Sequence, residues 1–109
     1  MAIKANLQID QGADFSTEID VLDDNGDVVN LTGYSGAAQM RKHYTSSTST
    51  NFTVAVNALA GTVTLSMNAV TSANVTPGRY VYDCELTSSS NVVSRLVEGI
   101  VTVTPQVTR

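Results

Sequence analysis

The stretch Gly78-Arg79-Tyr80-Val81-Tyr82-Asp83-Cys84-Glu85-Leu86-Thr87, Ser88-Ser89-Ser90-Asn91, Val92-Val93-Ser94-Arg95-Leu96-Val97-Glu98-Gly99-Ile100-Val101-Thr102-Val103 decides the fold. Two runs rich in β-branched and aromatic residues flank a small polar turn, the pattern of a long antiparallel hairpin. Tyr80, Tyr82, Cys84 and Leu86 share one parity, so they lie on one face of the first arm, read as the core face. In the second arm the phase changes. Leu96 and Ile100 have one parity, Val97, Val101 and Val103 the other, with Gly99 between Glu98 and Ile100. Either this arm is buried on both faces, or a bulge at Glu98-Gly99 shifts the phase by one residue. Pro105 ends the arm and leaves 105–109 as a short tail.

Working back from the hairpin, the same period of two recurs. Asn6 to Asp10 alternates and reads as a first strand, and Gln11 to Asp14 turns the chain. Phe15, Thr17, Ile19 and Val21 then share a face opposite Ser16, Glu18 and Asp20. Asn25-Gly26 predicts a type I′ hairpin turn, which needs positive φ at both central residues. Val28 to Leu31 returns as a short strand. Ala37 to Tyr44 contains good helix formers, but its neighbours are strands and no helical stripe continues beyond it, so it is read as a strand. Thr45 to Asn51 is a polar, exposed loop. Phe52-Val54-Val56 and Val63-Leu65-Met67 form a second hairpin around Asn57 to Gly61. Asn68 to Val75 breaks the alternation, and one or two helical turns capped by Asn68 fit there, before Pro77-Gly78. The sum is an all-β chain: an immunoglobulin-like antiparallel β-sandwich of seven or eight strands with one short helical turn, a small barrel being the alternative.

The chain has 109 residues, which suits one domain spanning 1–109 with a core of its own. It is 42% hydrophobic and only 15% charged, against the ~25% usual for soluble proteins. So little charge gives less of the repulsion that keeps proteins apart. A net charge of −4, with six Lys and Arg spread along the chain, builds no basic face for nucleic acid. Met1-Ala2-Ile3-Lys4 leads straight into an alternating segment, so no signal peptide is expected, and no run approaches the ~20 apolar residues that span a membrane. The protein is expected to be made in a cytoplasm. One cysteine, Cys84, allows no internal disulfide and reads as a small buried hydrophobe.

Catalytic and metal motifs fail one by one. An EF-hand loop around Asn25-Gly26 would need liganding residues where Val21 and Thr32 stand. His43 is the only histidine, no Gly-x-Ser-x-Gly elbow accompanies it, and one His with one Cys makes no zinc site. The glycines are scattered among turns and cradle no phosphate. No catalytic residue, metal or cofactor is assigned, and the chain is read as non-enzymatic. Arg79 and Arg95 face Asp83, Glu85 and Glu98 across the final hairpin, either to fix register or as a charged stripe toward a partner.

One ordered series of motifs is left. Gln11-Gly12-Ala13-Asp14-Phe15 is followed by Asp24-Asn25-Gly26, Leu31-Thr32-Gly33-Tyr34 and Ala38-Gln39-Met40-Arg41-Lys42. Then come Gly61 to Ser66, Pro77-Gly78-Arg79-Tyr80-Val81-Tyr82-Asp83 and Arg95 to Val103. This series resembles small virion structural proteins of tailed bacteriophages, especially contractile-tailed phages of marine cyanobacteria. It is also similar to the immunoglobulin-like N-terminal domain of phage baseplate upper proteins. The resemblance implies a non-enzymatic virion protein, assembled in the host cytoplasm. It would act as a tail or baseplate adaptor in many copies of a symmetric assembly, with other phage structural proteins as partners and neither nucleic acid nor membrane. A capsid decoration protein and a carbohydrate or host-surface binding module are the alternatives. Edge-strand pairing or a sheet face would make the contact. The candidate contact residues are Asp23, Asp24, Asn25, Thr45, Ser46, Ser47, Thr48 and Arg109. The hairpin facing has its own test. Cys84→Asp places a carboxylate on the predicted core face and is expected to unfold the domain, so a variant that melts like the parent in circular dichroism would refute that facing.

Overall fold

β-pairing around the C-terminal hairpin organises the molecule. A computed structural model describes residues 3–23 and 25–108. In chain order the elements are β1 (Ile3–Lys4), β2 (Leu7–Asp10), β3 (Phe15–Asp20), β4 (Ser35–Arg41), β5 (Thr50–Asn51), β6 (Thr53–Asn57), β7 (Thr62–Met67), α1 (Ala69–Ala73), β8 (Gly78–Thr87) and β9 (Val93–Thr104). The larger sheet runs β1-β9-β8-β4-β5, with β2 also beside β9. The smaller runs β3-β7-β6. Two separate sheets enclosing one core make a sandwich and exclude the barrel. The division of β4, β8 and β9 from β3, β7 and β6 is the immunoglobulin-like one.

Two features depart from the expected antiparallel sandwich of seven or eight strands. First, β1 and β2 run parallel to β9, with Ile3 opposite Val97 and Asp10 opposite Thr104. Second, there are nine strands among the described residues. The first strand is broken at Ala5-Asn6, and the chain steps from the larger to the smaller sheet at Phe52, separating β5 from β6.

The phase change in the last strand is a bulge, placed earlier than Glu98-Gly99. Cys84 pairs with Val97 and Glu85 with Arg95, so Leu96 is the extra residue. Leu96 and Val97 are both buried, and beyond them Val101 and Val103 face the core while Ile100 faces out. Gly99 serves a different need. A Cβ on Gly99 would overlap the Ala5 carbonyl, which lies over it and accepts the Tyr82 hydroxyl at 2.6 Å. The break at Ala5-Asn6 is satisfied locally: Ala5 N–H donates to Glu98, and Asn6 Oδ1 accepts the Ile100 N–H at 3.1 Å. A side-chain amide there replaces a ladder carbonyl.

The first arm faces as expected. Tyr82, Cys84 and Leu86 are buried and Tyr80 partly so. The segment read as strand over helix is β4, with Ala38 and Met40 in the core, because β8 supplies a full ladder of partners from Ser35 to Arg41. The Asn25-Gly26 turn differs. Gly26 has positive φ (82°) and donates its N–H to the Asp23 carbonyl at 3.0 Å, so the tight turn is not the type I′ turn centred on Asn25-Gly26. The Asp23 carboxylate accepts the N–H groups of Asn25 and Asp27, and this Asx cap fixes another turn geometry. Val28 to Leu31 is no strand; Val28 forms only an isolated bridge to Leu22.

The predicted helical turn is α1, whose N-cap Asn68 accepts the Thr71 N–H at 2.8 Å. It carries the chain from β7 in one sheet to β8 in the other. Ser72, fully buried, donates its hydroxyl to the Ala13 carbonyl (2.8 Å) and accepts the Gly12 N–H (3.1 Å). The Gln11 amide donates to Val75 and accepts from Gln106. The β2–β3 turn, α1 and the C-terminal tail are thereby tied together. Where β8 begins, Tyr80 donates to the Thr76 carbonyl at 2.6 Å, the tyrosine-corner contact of immunoglobulin-like sandwiches.

Two substitutions separate these roles. Gly99→Ala forces a methyl group into the Ala5 carbonyl and is expected to lower unfolding free energy by about 1–3 kcal/mol. Tyr82→Phe leaves that carbonyl without its hydroxyl donor and should cost about 1 kcal/mol. Urea titration of both variants checks the order.

Candidate interaction surface

Strand direction sorts the loops between two ends. Gly78 opposite Val103 marks one end, and Thr87 opposite Val93 the other. Asp20 and Thr62 lie toward the second end, Phe15 and Met67 toward the first. The β4–β5 loop, which holds Thr45, Ser46, Ser47 and Thr48, follows Arg41 and sits at the α1 end. The turn holding Asp23 and Asn25 sits at the opposite end. The expected contact residues therefore do not converge on one surface. Asp24 and Arg109 lie outside the described residues.

At the α1 end the surface is mixed: Tyr44, Val70 and Val107 are exposed there among polar loops. A cleft of about 380 Å³ is lined by Arg41, Lys42, Thr48 to Thr50, Asn74 to Thr76 and Tyr80. The β4–β5 loop is pinned by its own chain: the Arg41 guanidinium donates to the Ser46 carbonyl at 2.7 Å, and the Ser46 hydroxyl accepts the His43 N–H at 3.0 Å. The Lys42 ammonium stands 5.2 Å from the Tyr80 ring centroid, so that aromatic face already has a cation over it.

The opposite end is apolar. Ile3, Leu22, Val28, Leu59, Val92 and Val93 are all exposed there, Leu59 by 84% and Val92 by 64%. They follow from turns and from the start of β1. Leu22 and Val28 bridge, Leu31 N–H reaches Ala58 beside Leu59, and Gly61 abuts Val28. A cleft of about 440 Å³ opens between the sheets at this end, lined by Ile3, Leu22, Val29, Leu31, Leu86 and Leu96 with Asp20, Asp23 and Arg95 at its border. Isolated exposed apolar residues are ordinary, whereas a group of them at one end is the mark of a contact surface. The sequence signal was available: Leu22, Val28, Leu59 and Val92 lie in connections between the named strands, where polar residues are the rule.

The reactive groups are dispersed. His43 is exposed in the β4–β5 loop, while Cys84 is wholly buried between Tyr82 and Leu86. Burial pushes the Cys84 thiol up to about 11, the neighbouring Asp83 and Glu85 charges adding to it, so it stays protonated and inert. Burial likewise pushes the Tyr82 hydroxyl up to about 12, with Cys84 contributing. Among the described residues no three His, Cys, Asp or Glu side chains converge as metal ligands. The Asp23 carboxylate is occupied with its own turn. Arg95 pairs across the hairpin with Asp83 and along its own strand with Glu98, each at 3.5 Å, while Arg79 and Glu85 join no ion pair among the described residues.

Fold and surface together define a β-sandwich domain whose exposed apolar side chains are most numerous at the end opposite α1. No family model matches the chain, and no curated protein does either. Among solved structures it is similar to an internalin-like protein of Listeria monocytogenes, lmo2027. The likeness covers 94% of this chain and 28% of that one, with a TM-score of 0.52 and 14% identity. At that identity the likeness is one of fold. The chain spans little more than a quarter of that neighbour's length.

The two buried ionisable groups set an alkaline limit. In the unfolded chain the thiol ionises near 9 and the phenol near 10, whereas the folded protein holds their protons to about 11 and 12. The unfolded state therefore binds fewer protons between pH 9 and 12, and stability falls as pH rises through that window. Cys84→Ala should remove the first part of the fall, visible as a flatter melting temperature between pH 9 and 11.

Proposed function

We propose that this chain is a non-enzymatic structural protein of a tailed-phage particle, a tail or baseplate adaptor working through protein–protein contacts. The exposed apolar end carries the reading. A surface of Ile3, Leu22, Val28, Leu59, Val92 and Val93 around an open cleft gains by being covered. The low charge of the chain, 15% of residues, favours lasting contact. The motif order that resembles phage virion proteins supplies the setting. Assembly would take place in the host cytoplasm, with other phage structural proteins as partners. In a symmetric particle many copies repeat one contact, so modest affinity per copy is enough. A glycan-binding role has less support, since the polar cleft offers one tyrosine face and Lys42 stands over it.

The test is the particle. The chain should be present in purified virions by mass spectrometry and visible as a sandwich by cryo-electron microscopy; its absence would sink the reading. Leu22→Glu combined with Leu59→Glu, both exposed positions, should leave the melting temperature within a few degrees. Incorporation should nevertheless fall at least tenfold, about 1.4 kcal/mol.

A further inference from the structure

The smaller sheet ends at β3, and among the described residues nothing pairs with the outward side of that strand. In an immunoglobulin sandwich of constant type the first strand lies there, beside the second. Here both pieces of the first strand, β1 and β2, pair with β9 in the other sheet. No described residue fills the place beside β3. It is also the longest unbroken edge strand of either sheet: β1 and β5 have two residues each, β2 four and β6 five, against six for β3. Alternate residues of an edge strand turn their N–H and C=O groups outward, ready to pair with another chain. Along β3, Phe15, Thr17 and Ile19 point inward and are only half-buried, whereas Ser16, Glu18 and Asp20 are exposed.

Charge chooses the occupant. From Asp10 to Asp27 the sequence holds six aspartates and Glu18, with no Lys or Arg. Two copies pairing through β3 about a two-fold axis would meet carboxylate against carboxylate in every register that pairs three or more strand residues. Centred on Ser16, Asp14 faces Glu18; centred on Thr17, Asp14 faces Asp20. Centred on Glu18, that residue faces itself, and centred on Ile19, Glu18 faces Asp20. Like charges directly opposite oppose pairing. The edge is built against its own copy and in favour of a basic strand.

We propose that the free edge of β3 receives an extended segment of a partner protein, with Lys or Arg on its outward face and apolar residues that close over Phe15 and Ile19 on its inward face. This assigns a partner chemistry and rests on the protein-contact reading above. The probe is a blocked ten-residue peptide alternating Lys and Val, compared with one alternating Glu and Val, against the full chain. The Lys-Val peptide should slow amide hydrogen exchange within Phe15–Asp20 at least tenfold, and the Glu-Val peptide should not. The double variant Glu18→Lys, Asp20→Lys should melt like the parent and reverse that preference. Protection elsewhere, no protection, unchanged preference in the double variant, or self-association of the parent through β3 each overturn the proposal. Virions separate it from the reading beneath. If the parent is found in particles and the double variant enters equally well, the edge proposal alone fails. If the parent is absent from particles, the virion reading fails.

Discussion

The pairing of β8 with β9 sets the facing of the larger sheet. Its one irregularity, the extra residue Leu96 opposite the Cys84–Glu85 step, lets the consecutive Leu96 and Val97 both turn inward. A one-residue slip in a strand exchanges its two faces. Without the bulge, Leu96 and the valines at 97, 101 and 103 could not all be buried. The parallel strands β1 and β2 then take their positions from β9, and the Tyr82 hydroxyl fastens the break between them. Local sequence, pairing and core packing agree along this axis, the consistency expected of a foldable chain.

The two ends are finished in opposite ways. At the α1 end, polar groups close the sandwich: Ser72 is fully buried and bonded both as donor and as acceptor, and Gln11 bridges to Val75 and Gln106. A buried polar group is tolerated when its hydrogen bonds are complete, and these are. At the other end the loops carry leucine and valine outward and the sheets gape.

Much of this was legible in the sequence because it is local. Period-two alternation gives the facing of β3, β7 and β8, and Asn68 followed by a break in alternation gives α1. The bulge was legible as a phase change but not in position, because Gly99 was the visible irregularity. Its lack of a side chain answers to Ala5, a contact made across most of the chain. The parallel pairing of the first strand is long-range in the same sense and leaves no local mark. At Asn25-Gly26 dipeptide preference lost to a stronger neighbour, the Asp23 carboxylate. The candidate contact residues were chosen as polar loop residues; Asp23 and Asn25 fall at the apolar end, but the leucine and valine side chains around them were not singled out.

The parallel pairing of β1 and β2 with β9 also determines how the domain would bear tension. Ile3 and Lys4, then Leu7 to Asp10, lie alongside β9, which leads to the tail at the far end. A pull applied to the two ends runs along these strands in opposite senses. The hydrogen bonds between them are then sheared together, whereas a hairpin pulled open from its end loses its bonds one at a time. Resistance to force is a matter of unfolding rate more than of equilibrium stability. The six paired positions along β9 thus form a clamp against tension on the two ends.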